Sequence, residues 1–235
     1  MRTRLRISLA AAFSIFNMGS ASAVPRPTVI ELFTSEGCSS CPPAENYLAE
    51  LAQNPNVLAL AFHVDYWDDL GWPDRFGIKE AAPRQRVYAT LLSHSNVYTP
   101  QLVIDGQSAF VGTDRTNIAK ALVQARDGIA VVLTVGGDAI DIDVSERPGI
   151  TLSDVVLVTY ADAVRSPILR GENAGRVLQE VHVVRSIQTL GEFVGRAHRY
   201  RADRSTLPAD ATHVAVLVQS THQGTIAAAS VASLR

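Results

Sequence analysis

An α/β unit followed by an all-β, sandwich-like region is the fold class that this 235-residue sequence predicts. Three observations predict it. From Thr28 to Val64, β-branched or continuous apolar runs flank a segment with helical spacing, the order of a strand-helix-strand unit. After Gly128 the helical spacing ceases, and short alternating or apolar runs are separated by turn residues. Between the first strand and the first helix stand Cys38 and Cys41, the two cysteines of the chain, two residues apart.

The elements follow in order. Thr28-Val29-Ile30-Glu31-Leu32-Phe33 reads as a buried strand ending in a Gly-containing turn. Pro42 and Pro43 fit a first helical turn, where a missing N–H costs nothing, and Ala44, Leu48, Leu51 and Ala52 follow at helical spacing. Asn54-Pro55-Asn56 is a turn, and Val57 to Val64 is a continuous apolar run, as expected of a parallel strand covered on both faces. Asp65 to Asn96 forms an excursion: an acidic, aromatic loop holding both tryptophans, Trp67 and Trp72, then a helix-forming stretch from Lys79 to Ser93. The tryptophans fit either core anchors or the wall of a substrate groove. Gln101 to Gly106 and Ser108 to Gly112 make a hairpin, and Asn117 to Arg126 a helix.

Beyond Gly128, Ile129–Val135 and Ile140–Val144 form a hairpin across Gly136-Gly137-Asp138. Val155–Tyr160, Val177–Ile187, Ala197–Arg201, His213–Gln219 and Ile226–Leu234 are further strands, a count that suits a sandwich. The boundaries so drawn are a leader at 1–23, an α/β domain at 24–128 with an insertion at about 65–96, and a β domain at 129–235.

The leader rests on Arg2, Arg4 and Arg6, an apolar run from Ile7 to Phe16, and Ser20-Ala21-Ser22-Ala23, the pattern of a secretory signal cleaved after Ala23. The run is too short for a comfortable membrane span, so no span is expected in the mature chain. Export to the periplasm or beyond is the expected localisation, and an oxidising compartment lets a disulfide persist. Losing the three arginines takes the formal charge from −2 to −5, which argues against nucleic acid as a partner.

At a helix N-terminus, unpaired backbone N–H groups and the helix dipole stabilise an anion, lowering the pKa of the first thiol, Cys38. Cys38 is then the nucleophile and Cys41, one turn on, the resolving thiol. A structural zinc site is disfavoured because no second cysteine pair supplies ligands, and a structural disulfide closing so short a loop would constrain the unfolded chain little.

The order of elements from Thr28 to about Gly128 resembles a thioredoxin-like fold. The strings from Glu31 to Pro43 and from Arg170 to Arg176 resemble an uncharacterised family of exported bacterial thioredoxin-like proteins, domain of unknown function 1223. The first resemblance implies that Thr99-Pro100 is a cis-proline site facing the cysteines, where Thr99 could pair with a substrate chain, and that Glu31 is a buried acid serving the resolving thiol. Glu31 departs from the pattern in being Glu rather than Asp and in standing one residue further from the first cysteine, so a solvent-facing strand residue is an equal reading. The candidate catalytic set is therefore Cys38, Cys41, Thr99, Pro100 and Glu31.

The function expected is an exported thiol-disulfide oxidoreductase acting on proteins with thiols or disulfides, with an unidentified redox partner and no metal or organic cofactor. Two alternatives stay open. Cys38 and Cys41 with His63 or His94 could hold copper(I), which favours soft thiolates; or the β region is a binding module and the disulfide structural. His182, His198, His213 and His222 read as ordinary strand or surface residues. The loop Gly171-Glu172-Asn173-Ala174-Gly175-Arg176 reads as a turn needing positive φ, or as a segment that abuts the redox site.

Overall fold

The computed structural model describes residues 24–93, 96–123 and 126–235. The leader expected at 1–23 and His94 lie outside the described residues.

In chain order, β1 (Val24–Pro25) and β2 (Thr28–Thr34) precede α1 (Pro42–Leu51) and β3 (Val57–His63). After a short 3-10 turn at Asp68–Leu70 come α2 (Ala81–Leu91), β4 (Gln101–Ile104), β5 (Ser108–Val111), α3 (Arg115–Leu122) and β6 (Asp127–Gly128). The remainder is strand: β7 (Val131–Val135), β8 (Ala139–Val144), β9 (Ser153–Pro167), β10 (Val177–Phe193), β11 (His198–Asp203), β12 (His213–Ser220) and β13 (Ile226–Ser233), with one further 3-10 turn at Arg204–Thr206.

One eight-stranded sheet, in the order β13-β12-β9-β10-β3-β2-β4-β5, organises the molecule. β2 and β3 are parallel, from Thr28 opposite Val57 to Thr34 opposite His63. β10 also runs parallel to β3, with Val183 opposite Ala61. The remaining pairings in this sheet are antiparallel, the longest being the β9/β10 hairpin. A three-stranded sheet, β11-β8-β7, and the small β1/β6 pair complete the fold.

The fold class read from sequence is therefore corrected. Among the described residues the fold is β-rich with three short α-helices, not an α/β thioredoxin-like fold followed by a separate sandwich-like region. The physical reason is the free edge of β3. The expected β2-α1-β3 crossover does form, but β10 pairs with β3, and through β9, β12 and β13 the strands beyond Gly128 extend the same sheet. Open backbone N–H and C=O groups along a strand edge are strong hydrogen-bonding groups, and a long hairpin that supplies partners satisfies them.

Three apolar clusters hold the layers together. On one face of the large sheet, Val29, Phe33, Leu58, Leu60, Phe62, Val158, Val184 and Leu217 pack with Ala81, Ala82 and Tyr88 of the α2 helix. On the other face, Ile30, Leu32, Ala59, Ala61 and Leu102 pack under Ala44 and Leu48 of α1 and Ile118 of α3. Further along, Val155, Leu157, Val214, Val216 and Val218 pack against Ile140, Ile142 and Tyr200 of the three-stranded sheet. Burial on both faces accounts for the apolar runs of β3 and β12, and in β2 it extends to Glu31 as well.

Local signals set the helix starts. α1 opens on Pro42-Pro43, and Asp114 caps α3 by accepting the Asn117 N–H at 3.2 Å. α2 begins at Ala81 and includes Pro83 in its first turn, where proline is tolerated.

Candidate functional site

The loop after β2 carries both cysteines to the head of α1, at the end of the sheet where β2 and β3 finish. Cys38 and Cys41 form a disulfide with Cα atoms 5.5 Å apart, and both residues are fully buried while Ser39 and Ser40 between them are exposed. Local backbone bonds tighten the turn: the Cys38 N–H donates to the Ser35 carbonyl and the Cys41 N–H to the Cys38 carbonyl.

The Thr99–Pro100 peptide bond is cis, and the Thr99 carbonyl oxygen lies 3.9 Å from Cys38 Sγ. Ser40 Oγ sits 3.3 Å from that sulfur and 3.5 Å from the same carbonyl. Gly112 makes this approach possible: a Cβ there would stand 2.8 Å from Ala44 Cβ and 3.0 Å from Pro100 Cβ, so any side chain would push the proline away from α1.

Both tryptophans brace this end. Trp67 Nε1 donates to Thr99 Oγ1 at 2.9 Å, and Trp72 Nε1 donates to Glu36 Oε2 at 2.7 Å. Each ring is half-buried, so the indoles act as anchors with a polar handle.

Glu31 lies elsewhere. Its side chain is on the α2 face of the sheet, opposite α1, bonded to Arg84 Nε at 2.6 Å and to the Tyr88 hydroxyl. Alternation along a strand places Ile30 and Leu32, not Glu31, toward α1. The structure thus brings Cys38, Cys41, Thr99 and Pro100 together and leaves Glu31 in a separate buried ion pair.

At this end of the sheet stand Glu36, which the sequence places close to Cys38, and three acids that the sequence reading missed, Glu45, Asp74 and Glu180. Glu36, Glu45, Asp74 and Glu180 are buried around His63. His63 Nδ1 is 2.8 Å from Asp74 Oδ2, and His63 Nε2 faces Glu180 Oε2 at 3.6 Å. Thr34 Oγ1 donates to Glu45 Oε1 at 2.5 Å, and the Glu36 N–H donates to Asp74 Oδ2 at 2.7 Å. Glu45 is four residues after Cys41 on α1, hence on the same helix face one turn down. That spacing is the available signal, although an acid in a first helical turn is usual because it complements the helix dipole.

Burial raises two of these acids, Glu45 and Glu180. Desolvation raises Glu45 above its usual range, with Asp74 and Glu36 adding to it against the pull of His63 and Thr34. Desolvation also carries Glu180 to about 8, helped by its carboxylate neighbours. For His63, burial alone would lower the pKa, but Asp74 and Glu180 outweigh it and hold the imidazole up at about 10. Asp74 is pushed up by burial and pulled further down by His63 and by the N–H groups of Glu36 and Phe76, so it stays ionised.

The sign of the pH dependence follows. A group whose folded pKa is raised stabilises the fold fully below its unfolded value and loses that contribution as pH rises through the folded one. For Glu180 the loss runs from about pH 4.5 to about 8, and for His63 from about 6.5 to about 10. Glu180→Gln is accordingly expected to flatten the alkaline decline of stability, measured as urea midpoints from pH 5 to 9. Parallel profiles for the two proteins would contradict the assignment.

A segment from the far half of the chain closes over the cysteine loop. Asn173, fully buried in the β9–β10 loop, donates from Nδ2 to the carbonyls of Glu36 and Cys38, both at 2.9 Å. Glu172 Oε2 accepts the Ser39 N–H at 3.1 Å, and Arg176 Nη1 donates to Asn173 Oδ1 at 2.9 Å. Gly171, at φ +76°, brings this loop against Trp72, whose Cβ would be 3.0 Å from a Cβ at that position. Both readings of this loop hold: Gly171 and Gly175 take positive φ, +76° and +81°, and the loop abuts the cysteine turn.

His63, considered for copper(I), is thus engaged with Asp74 and Glu180, while His94 lies outside the described residues. Among the described residues no three His, Cys, Asp or Glu side chains converge in a way that could hold a metal ion, and no helix is long and apolar enough to cross a membrane.

Comparison with known proteins gives a family and two structural likenesses. Residues 29–219 match the family described as a protein of unknown function, DUF1223. The crystal structure of protein AGR_C_4864 from Agrobacterium tumefaciens is similar at 29% identity and a TM-score of 0.78, over 91% of this chain and 97% of that one. HBP35 of Porphyromonas gingivalis is similar in fold at 14% identity and a TM-score of 0.61, over 89% of this chain and 76% of that one. No curated protein matches. These likenesses show a family and a fold rather than a relationship to thioredoxins, and with the match spanning the cysteine loop, the His63 cluster and the β9–β10 loop, the chain belongs to the DUF1223 family.

Proposed function

We propose that this protein is a thiol-disulfide oxidoreductase acting on protein thiols or disulfides in an exported compartment. The observation that carries the reading is the Cys38–Cys41 disulfide at the head of α1, flanked by the Thr99 carbonyl, with Glu45, raised in pKa by burial, one turn along the same helix.

In the disulfide state, a substrate thiolate attacks Cys38 Sγ and the Cys38–Cys41 bond breaks, with Cys41 leaving as a thiolate. The second substrate thiol, as a thiolate, then attacks the substrate sulfur of the mixed disulfide and releases Cys38. The substrate dithiol loses two electrons and two protons, and the cysteine pair gains both. Glu45, one turn below Cys41 and raised in pKa by burial, suits the role of supplying a proton to the Cys41 sulfur and recovering it in the reverse direction. A dithiol donor or disulfide acceptor in the same compartment returns the pair to its starting state.

One observation favours a second reading. Both cysteines are fully buried under the β9–β10 loop, as in a structural bridge belonging to a binding module. Exchange requires that loop or the Ser39-Ser40 turn to yield.

The reduction potential, measured by equilibrating the protein in graded thiol-disulfide buffers and trapping free thiols, separates the two. We expect a value between about −270 and −120 mV, the range of working oxidoreductases. A value well below about −300 mV marks a structural bridge and overturns the exchange reading.

A further inference from the structure

We infer that Glu172, supplied from the β9–β10 loop more than 130 residues away, sets the redox poise of the pair by withholding the Ser39 N–H from the Cys38 thiolate. The inference rests on the reading of Cys38 as the exchanging sulfur.

When the disulfide opens, a Cys38 thiolate needs hydrogen-bond donors and positive potential. At the head of α1 these are the backbone N–H groups around the turn. Two are already committed to carbonyls, since Cys38 N–H bonds Ser35 and Cys41 N–H bonds Cys38. The Ser40 hydroxyl, 3.3 Å from the sulfur, is one donor, and the N–H of Ser39, the residue after Cys38, is occupied by the Glu172 carboxylate at 3.1 Å. That bond holds Glu172 below the usual carboxylate range, so it stays ionised through the range in which a thiol titrates.

Glu172 therefore acts twice against the thiolate: it takes a donor, and it places a negative charge on the backbone of the residue that follows Cys38. Both effects raise the Cys38 pKa, and a less stable thiolate makes the pair more reducing once Cys38 ionises. The position is fixed from behind, because the neighbouring Asn173 is buried and pinned to the Glu36 and Cys38 carbonyls while Arg176 holds Asn173 Oδ1.

Other charges face this end from each element packed on it. Glu36, in the cysteine loop itself, is bonded by Trp72 and lies 3.6 Å from Arg75. Glu45 on α1, Asp74 on the excursion loop and Glu180 on β10 share His63. These are buried and already partnered with one another or protonated, whereas Glu172 is exposed and aimed at the backbone of the Cys-Ser-Ser-Cys turn. Glu172 touches no reacting atom and works through Cys38.

The test compares wild type, Glu172→Gln and Glu172→Ala in the full chain. The Gln variant keeps an acceptor for the Ser39 N–H and loses the charge; the Ala variant loses both. The Cys38 pKa is read from the pH dependence of iodoacetamide alkylation of the reduced protein, and the potential is read at two pH values, one well below and one well above that pKa. We expect the pKa to fall in the order wild type, Gln, Ala, with the Ala variant about one pH unit below wild type. Above the pKa, the dithiol-disulfide equilibrium shifts toward the dithiol by up to tenfold, equivalent to about 30 mV; well below it, the shift vanishes.

A loss of folding alone would not produce this pH-dependent signature. A pair that titrates and exchanges identically in all three proteins overturns the role of Glu172 and leaves the exchange reading standing. A pair that dithiols do not reduce overturns both.

Discussion

Cys38→Ser is expected to reduce dithiol-disulfide exchange to background, while Cys41→Ser retains the attacking sulfur and accumulates mixed disulfides with substrate. The asymmetry follows from position. Cys38 lies beside the exposed Ser39-Ser40 turn and 3.9 Å from the Thr99 carbonyl, whereas Cys41 is the first residue of the α1 turn that leads down to Glu45. With Cys38 absent no sulfur is placed to receive the substrate; with Cys41 absent nothing resolves the mixed disulfide. The bond closes a loop of only a few residues, so its loss costs about 2 kcal/mol by chain entropy and both variants should fold. The measurement is reduction of a peptide disulfide by the reduced proteins, in which the Cys38 thiolate displaces one peptide thiol and stays bonded to the other peptide sulfur until Cys41 resolves it, followed by mass spectrometry of the protein. If Cys38→Ser exchanges as fast as wild type, the oxidoreductase reading fails.

The second large effect concerns stability. Arg84→Met leaves the Glu31 carboxylate buried without its cation, and we expect a loss of about 3–5 kcal/mol, the usual cost of breaking one side of a buried pair. Arg84 is 7% exposed and Glu31 is fully buried. The guanidinium also binds the Tyr88 hydroxyl and Gln219 Oε1, each at 3.0 Å, and Gln219 Nε2 returns to Tyr88 at 2.9 Å. This network ties β2, α2 and β12 together, from residues nearly two hundred positions apart. The double variant Glu31→Leu/Arg84→Met removes both charges and should recover much of the loss in urea titrations. A single variant within about 0.5 kcal/mol of wild type would show that water reaches the pair.

Glu31 also shows how a correct element can carry a wrong assignment. β2 was legible as a strand because Val29, Ile30, Leu32 and Phe33 are β-branched, aliphatic or aromatic. Which face each residue takes was not legible, since a strand buried on both sides has no polar alternation to mark the faces. Only the packing of α1 on Ile30 and Leu32 and of α2 on Phe33 sends Glu31 away from the cysteines.

The proton-holding cluster was hidden for a related reason. The sequence offers His63 only as a copper(I) candidate, because Glu36, Asp74 and Glu180 come from a turn, a loop and a strand that no local period connects to it. Desolvation, which raises Glu180 and Glu45, depends on what surrounds them and not on what precedes or follows them.

What the sequence by itself determined is local. It specified the strand, the turn and the Pro-Pro helix start that set Cys38 and Cys41 at the head of α1, because turn chemistry, proline placement and side-chain period act over a few residues. What only the tertiary structure decided is which distant groups those cysteines meet. β10 joins β3 edge to edge through backbone hydrogen bonds that carry no side-chain signature, and that pairing merges the strands beyond Gly128 into one sheet and swings Glu172 and Asn173 onto the Cys-Ser-Ser-Cys turn.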